Sequence, residues 1–353
     1  MSRSRSTKKR LSFSKLALLV GGAVLLLKLL RARNAMDFRG RVVVITGGSR
    51  GLGLNLARQL AEQGAKLALI ARDERELERA ERELKALGAP VLTLVCDLRS
   101  RRDAQEAVEK AAAHYGHLDV IINNAGVIEV GPLEHMLAPD FEEAVDLHLW
   151  APLWVSRAAI PHLKAAGGGR IVNIASFGGL VATPHMAPYV ASKFALVGLS
   201  AALRNELAKD GILVTTVCPG IIRTGSHVMA KFKGNQRAEY RMFKLMAALG
   251  GVEAPKATRL ILNATKYGDP QLVFPIPIQW ATWLYQLFPN LSGLAFQTVT
   301  RFMPGPTEDA DGDLQVRGHE LEDALPPSIL TKLADRAVAA NNEMNGHSLN
   351  KTP

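Results

Sequence analysis

From Arg41 onward the chain alternates short β-branched runs with longer amphipathic stretches, and this alternation restricts the fold more than any other feature. The runs are VVVIT (42–46), KLALIA (66–71), VLTLVC (91–96), DVIIN (119–123), RIVNIA (170–175), LVTTVC (213–218) and QLVF (271–274). Each reads as a strand buried on both faces, and each interval is long enough for a crossover helix. The pattern predicts an α/β fold, a Rossmann-type doubly wound parallel sheet of about seven strands. No Gly/Ser-rich or Pro-rich linker divides it, so 36–275 reads as one domain. An apolar, aromatic extension follows over 276–304, with Trp280, Trp283, Tyr285, Phe288, Phe296 and Phe302. Over 305–353 the chain turns into a polar, partly disordered tail, with a helix expected from Pro327 to Ala340.

The net charge of +10 looks like a nucleic-acid signal until it is located. Residues 1–41 hold eleven Lys and Arg against Asp37 alone, which accounts for all of it. The remaining body is neutral, so no nucleic-acid partner is expected. A basic arm beside an apolar run suits an anionic membrane surface instead. That run, Leu16 to Leu27 followed by Lys28, Leu29 and Leu30, is short: as a helix it reaches about 22 Å against a hydrocarbon core of about 30 Å. Spanning requires extension back to Leu11 with Lys15 and Lys28 snorkelling. The segment 1–35 is therefore expected to be an uncleaved basic arm and anchor helix that makes the protein membrane-associated. A cleaved signal peptide is the rival, disfavoured by Lys28, Arg31 and Arg33 and by the lack of an A-x-A site. Basic residues on both flanks leave topology open; a cytoplasmic catalytic domain is expected, with an organelle lumen as the alternative. Cys96 and Cys218, each ending a buried strand, read as reduced core thiols.

The first strand runs into Thr46-Gly47-Gly48-Ser49-Arg50-Gly51-Leu52-Gly53 and then a helical pattern. A dinucleotide pyrophosphate can rest on a helix N-terminus only where the backbone comes close and its N–H groups are free, which the glycines allow. The second strand ends in Ala71-Arg72-Asp73. An arginine there, with Arg50, accommodates a ribose 2′-phosphate and favours NADPH/NADP+ over NAD, whereas Asp73 taking the ribose hydroxyl would reverse the preference.

These features, with Asn123-Asn124-Ala125-Gly126, Ser176, Tyr189-x-x-x-Lys193 and Pro219-Gly220 in that order and spacing, resemble the short-chain dehydrogenases/reductases over about residues 40–275. The resemblance implies hydride transfer between nicotinamide and a carbonyl or alcohol. It implies Tyr189 as the general acid in reduction, Lys193 on the nicotinamide ribose and Ser176 on the substrate oxygen. It places Gly47, Ser49, Arg50, Gly51, Leu52 and Gly53 around the phosphates, Asp97 and Leu98 near the adenine, and Asn123, Ala125 and Gly126 near the adenosine ribose. Pro219, Gly220, Ile222 and Thr224 would surround the carboxamide. The chemistry agrees: residues four apart share a helix face, and a phenol of pKa about 10 needs a neighbouring cation to exchange protons near neutrality.

One position departs from the family pattern. His148, in Val145-Asp146-Leu147-His148, stands where an asparagine that helps hold a proton-relay water is expected. A histidine can bond a water or a carbonyl and carry protons near neutral pH, which preserves activity. The alternative is a catalytically weak nucleotide-binding scaffold or sensor. Asn173 and His185 read as a strand-packing amide and a solvent-exposed loop residue. Between Thr224 and Gly251, Met229, Phe232, Tyr240, Met242, Phe243 and Met246 suit either a cover over a bulky apolar substrate or a helix packed on the core. With the Trp-rich extension, which suits a membrane interface or a dimer contact, this predicts a lipophilic small-molecule substrate (steroid, retinoid or long-chain acyl) and a homo-oligomer.

Overall fold

The computed structural model describes residues 31–308, 310–324 and 332–343, together with 21, 22, 26, 28 and 29. Seven parallel strands form the central sheet: β1 (Val42–Thr46), β2 (Lys66–Ala71), β3 (Val91–Val95), β4 (Val120–Asn123), β5 (Gly169–Ile174), β6 (Ile212–Pro219) and β7 (Gln271–Phe274). Their order is β7-β6-β5-β4-β1-β2-β3, so the chain reverses direction across the sheet between β1 and β4. A crevice opens there, beyond the carboxyl ends of the strands. The expected Rossmann-type sheet is present, with strand ends displaced by a residue or so.

Helices α1 (Gly51–Glu62), α2 (Glu74–Ala86) and α3 (Arg101–Tyr115) follow the first three strands. Then come α4 (Ala138–Val145), which passes through a π turn (Asp146–Trp150) into α5 (Ala151–Ala165), and α6 (Ala187–Leu207). Strand side chains alternate between two cores. Val43, Ile45, Leu67 and Leu69 pack with Leu54, Leu60, Leu77 and Leu84 of α1 and α2. Val42, Val44, Ala68 and Ile70 pack with Val108 of α3 and Val155 of α5. Each such aliphatic side chain buried from water contributes about 1.5–3 kcal/mol, which is why the strands lack the polar alternation of a half-exposed sheet.

Helix ends differ in how their free N–H groups are met. Asp73 accepts the Glu76 N–H at 2.8 Å to cap α2, and Ser100 accepts the Asp103 N–H at 3.3 Å to cap α3. Arg50, at the same position of α1, provides no side-chain cap, and no acidic residue lies in that first turn.

Beyond the sheet, α7 (Gln236–Gly250) and α8 (Ala254–Tyr267) precede β7. Short strands Glu129–Val130, Lys231–Phe232 and Val316–Arg317 pair into a small sheet. Phe232, Tyr240 and Phe243 bury themselves beneath it in a satellite core, so one face of the 224–251 segment does pack on the body. Leu245, Met246 and Leu249 of α7 remain exposed. Helices α9 (Ile276–Leu287) and α10 (Pro289–Thr300) form a hairpin, and α11 (Lys332–Ala340) runs toward α1. From Pro270 to Thr300 no residue is charged. Trp280, Trp283, Leu287, Leu291, Leu294 and Phe302 are all more than half exposed.

The Leu16–Leu27 run expected to anchor the chain lies mostly outside the described residues. Among the described residues no helix is long and apolar enough to cross a membrane. Arg31 fastens the start of the body, pairing with Asp269 at 2.7 Å and lying 4.0 Å over the Tyr267 ring.

Candidate active site

The loop leaving β5 delivers Ser176 to the carboxyl edge of the sheet, its Oγ accepting the Gly178 N–H at 3.0 Å. Helix α6, started by Pro188 in its first turn, carries Tyr189 and Lys193 one turn apart. The Lys193 ammonium donates to the Ile174 carbonyl at 2.9 Å and stands 5.6 Å from the centre of the Tyr189 ring. A Cβ on Gly178 would meet both the Tyr189 ring, at 3.2 Å, and Ser176 Oγ, at 3.6 Å, so the two side chains share one corner. Three groups assigned together by spacing are thus together in space.

Their charges are set by burial. Desolvation pushes the Tyr189 phenol up, against the opposing Ser176 hydrogen bond. Desolvation also brings Lys193 down to about 7, since its hydrogen bond goes to a carbonyl and not to a carboxylate. Burial is the largest influence on both groups, and Tyr189 keeps its proton.

His148 is buried, at 1 % exposure, in the π turn between α4 and α5. Its Nε2 accepts the Val127 N–H at 3.1 Å, which fixes the proton on Nδ1, 2.8 Å from the Ser192 hydroxyl. Ser192 in turn donates to the Tyr189 carbonyl at 2.9 Å. Both ring nitrogens are thus engaged. Desolvation, with a smaller contribution from Lys193, drives the ring pKa well below its usual value. These bonds make the ring a brace between the Val127 backbone and Ser192, and burial disfavours its charged form. The π turn adds a second effect. Ala151 N–H reaches back to Asp146 O, and Pro152 has no N–H, so the Leu147 and His148 carbonyls receive no donor from either residue.

At the β1–α1 turn, Gly47 (φ 64°) and Gly51 (φ 57°) adopt backbone conformations that favour glycine, and a Cβ on Gly53 would fall 2.0 Å from the Gly47 carbonyl. Asn124 braces the turn, its amide donating to Thr46 O and Gly47 O at 3.1 Å each. Asn123, at the end of β4, donates its side-chain amide to Ser156 at 3.2 Å and Asn173 at 2.8 Å within the sheet, which leaves its backbone to face the expected adenosine ribose. Its strand position turns the side chain into the core. Ala125 presses on the turn, 3.0 Å from a Cβ placed on Gly47, while one on Gly126 would meet His148 Nε2 at 2.7 Å.

Arg72 is exposed at the end of β2, while Asp73 is engaged in capping α2. Asp97 is held low by Arg99, 2.6 Å away, and Leu98 is buried behind it. Gly220 N–H donates to Phe274 O at 2.8 Å, and the Thr224 hydroxyl accepts the Ser226 N–H at 3.2 Å, which bends the loop through Ile222 back toward Gly51. Close-approach glycines at an uncapped helix start, on the crevice side of the sheet, fit a nicotinamide dinucleotide.

The sequence reading missed two acidic residues at this turn. Glu76 accepts from Ser49 Oγ at 2.9 Å and from Arg50 Nη1 at 2.8 Å. Glu343 lies 3.4 Å from Arg50 Nε. An acid at the first turn of α2 is a generic helix signal, and nothing in the 341–343 sequence points to a partner almost 300 residues away. His185, read as solvent-exposed, is instead tied to the buried Glu239 at 2.6 Å, while Asn173 does pack within the sheet through Ser200 at 2.8 Å.

Residues 41–234 match the family model described as short chain dehydrogenase. SadH of Mycobacterium tuberculosis, named as an oxidoreductase, is 39% identical over 241 residues, covering 67% of this chain and 87% of that protein. The 11-beta-hydroxysteroid dehydrogenase A of Sesamum indicum is 31% identical over 277 residues, covering 77% of this chain and 79% of its own. Among solved structures, the L-sorbose reductase of Gluconobacter frateurii, complexed with NADPH and L-sorbose, aligns with TM-score 0.61 at 24% identity, over 68% of this chain and 97% of that one, a likeness of fold. With the seven-stranded sheet and the Ser176, Tyr189 and Lys193 cluster in place, this chain belongs to the short-chain dehydrogenase family and is an oxidoreductase acting on an alcohol or carbonyl group.

Proposed function

We infer that the protein is an NADP(H)-preferring reductase or dehydrogenase for a lipophilic carbonyl or alcohol, working at a membrane surface. The convergence of Ser176, Tyr189 and Lys193 at the carboxyl end of β5 carries the chemical part of this reading. When bound, the nicotinamide supplies or accepts the hydride. In reduction Tyr189 donates its phenolic proton to the substrate oxygen, and Ser176 donates a hydrogen bond to the same atom. Lys193, with its pKa near 7, has a proton available to restore the phenol. The Leu147 and His148 carbonyls, which accept from neither Ala151 nor Pro152, are sites for a relay water, and His148 keeps that turn in place through Val127. The neutral, fully bonded ring fills the positioning role expected of asparagine, so the scaffold alternative gains no support.

The cofactor preference rests on Arg72. With Asp73 occupied as a cap and Arg50 bound to Glu76, Arg72 is the exposed cation at the end of β2. The substrate class rests on the exposed apolar face of α7 and on the uncharged α9–α10 hairpin, whose Trp280 and Trp283 suit a lipid headgroup layer. The named steroid relative points the same way. The test is NADPH oxidation by detergent-solubilised protein over a panel of lipophilic ketones, with NADH and L-sorbose in parallel. Turnover confined to apolar substrates and favouring NADPH is expected. Equal rates with NADH, or a preference for the sugar, would remove the corresponding part of the reading.

A further inference from the structure

The C-terminal tail is built into the start of α1. After α11, Asn341 O accepts the Gly51 N–H at 2.8 Å, one of the N–H groups that the uncapped helix leaves open. The Asn341 side chain accepts from Asn55 at 2.6 Å and donates to Thr224 O at 2.9 Å. Asn342, at φ 57°, donates to Ser49 O at 2.8 Å and accepts from Arg79 at 2.7 Å. Arg58 donates to Ala340 O at 2.9 Å. Glu343 is 3 % exposed, its Oε1 2.6 Å from where a Cβ on Gly51 would stand and its Oε2 without a hydrogen bond. Gly51 is the glycine whose bare Cα lets a pyrophosphate approach, and a carboxylate now fills that approach.

We propose that residues 341–343 are a built-in competitor of the dinucleotide: the tail seats Glu343 at the pyrophosphate position, and cofactor binds when the tail leaves. This rests on the family's nicotinamide dinucleotide, not on the NADP preference. The physical case is one of exclusion. Asn341 uses the Gly51 N–H, and the Glu343 and Glu76 carboxylates already surround Arg50, so a phosphate group entering beside them meets two acids and a covered donor. Residues 341–343 are themselves held by hydrogen bonds and one ion pair, which allows the seat to open without disturbing the sheet.

Calorimetric titration of the full chain with NADP+ and with NAD+ tests this without turnover. A chain ending at Ala340, and the double variant Asn341→Ala/Asn342→Ala, which loosens the tail without shortening it, are expected to bind about tenfold more tightly, as for a seat closed nine-tenths of the time. Glu343→Gln separates competition from coexistence by sign. The neutral amide docks without burying a charge or taking up a proton, so a competing tail docks more tightly and nucleotide binding weakens. If tail and nucleotide sit together, Gln removes a repelling charge and binding strengthens. Stronger binding by Glu343→Gln together with weaker binding by the loosened variants would overturn the proposal. If no form binds either nucleotide, the dinucleotide reading falls and the proposal falls with it.

Discussion

The catalytic corner and the dinucleotide turn occupy the same edge of the sheet but are assembled in opposite ways. Ser176, Tyr189, Lys193 and His148 come from within 46 residues of one another, and neighbouring backbone meets three of them: Ile174 O for Lys193, Val127 N for His148 and Gly178 N for Ser176. The corner contains bases and a phenol but no carboxylate, so burial is the largest influence on its proton affinities. The turn at Gly47–Gly53 draws on Glu76 and on Asn341 to Glu343, and its arginine faces two carboxylates. A site made from nearby residues is fixed once the strand and helix form. One closed by a distant segment has two states by construction.

The largest expected effect sits in the corner. Tyr189→Phe removes the proton donor and leaves the ring packing, so turnover should fall by about 10²–10⁴ while NADP+ affinity stays within twofold. Loss of affinity on the same scale would mean that the phenol belongs to the binding site. Next is Arg72→Ala at the turn. Removing one charge-assisted contact of about 1.5–3 kcal/mol should weaken NADP+ binding roughly 10- to 150-fold and leave NAD+ unchanged, as read by parallel titrations. An equal loss for both nucleotides would contradict the 2′-phosphate assignment.

His148→Ala exposes the difference between bracing and proton transfer. It leaves the part-buried Val127 N–H without its partner, which costs up to about 1–3 kcal/mol of stability and should lower the melting temperature. Because the ring is neutral, His148→Asn should restore stability and leave the pH–rate profile in place. A profile shifted by Asn would make the ring a proton carrier.

The smallest effect is a pH dependence at the turn. Burial raises Glu343 to about 7 against its ordinary 4.5, with Arg50 opposing and Glu76 reinforcing the shift. The docked tail therefore holds a proton that the released tail gives up between pH 4.5 and 7, and docking weakens as pH rises through that window. Nucleotide affinity of the full chain, relative to the chain ending at Ala340, should rise from pH 5 to 7 and then level off. A flat ratio would show that Glu343 does not report on tail docking.

The strands, the crevice and the catalytic cluster were legible because their determinants are periodic or close in sequence. VVVIT and KLALIA are buried on both faces, and Tyr189 with Lys193 is a one-turn relation on α6. What was not legible depends on where a side chain turns. Asn123 and Asn124 are adjacent, and only strand alternation sends the first into the core and the second to the Gly47 carbonyl. His148 looks titratable as a residue type, but the closure of α4, α5 and α6 around it removes water from the ring. The 341–343 contact had no local signature, since Asn-Asn-Glu after a helix is also what a solvated end looks like.

The seat beside Gly51 is filled by a segment synthesised long after the turn itself. β1, α1 and β4 are complete before residue 130, whereas Glu343 follows more than 200 residues later. N-terminal elements fold first during synthesis at roughly 5–20 residues per second, so the turn stands open to solvent for about 10–40 seconds before its own tail exists. A nucleotide present in the cell meets the nascent domain during that interval without competition. The order of translation thereby gives the cofactor first access, and the tail can close only on a chain that the cofactor has left.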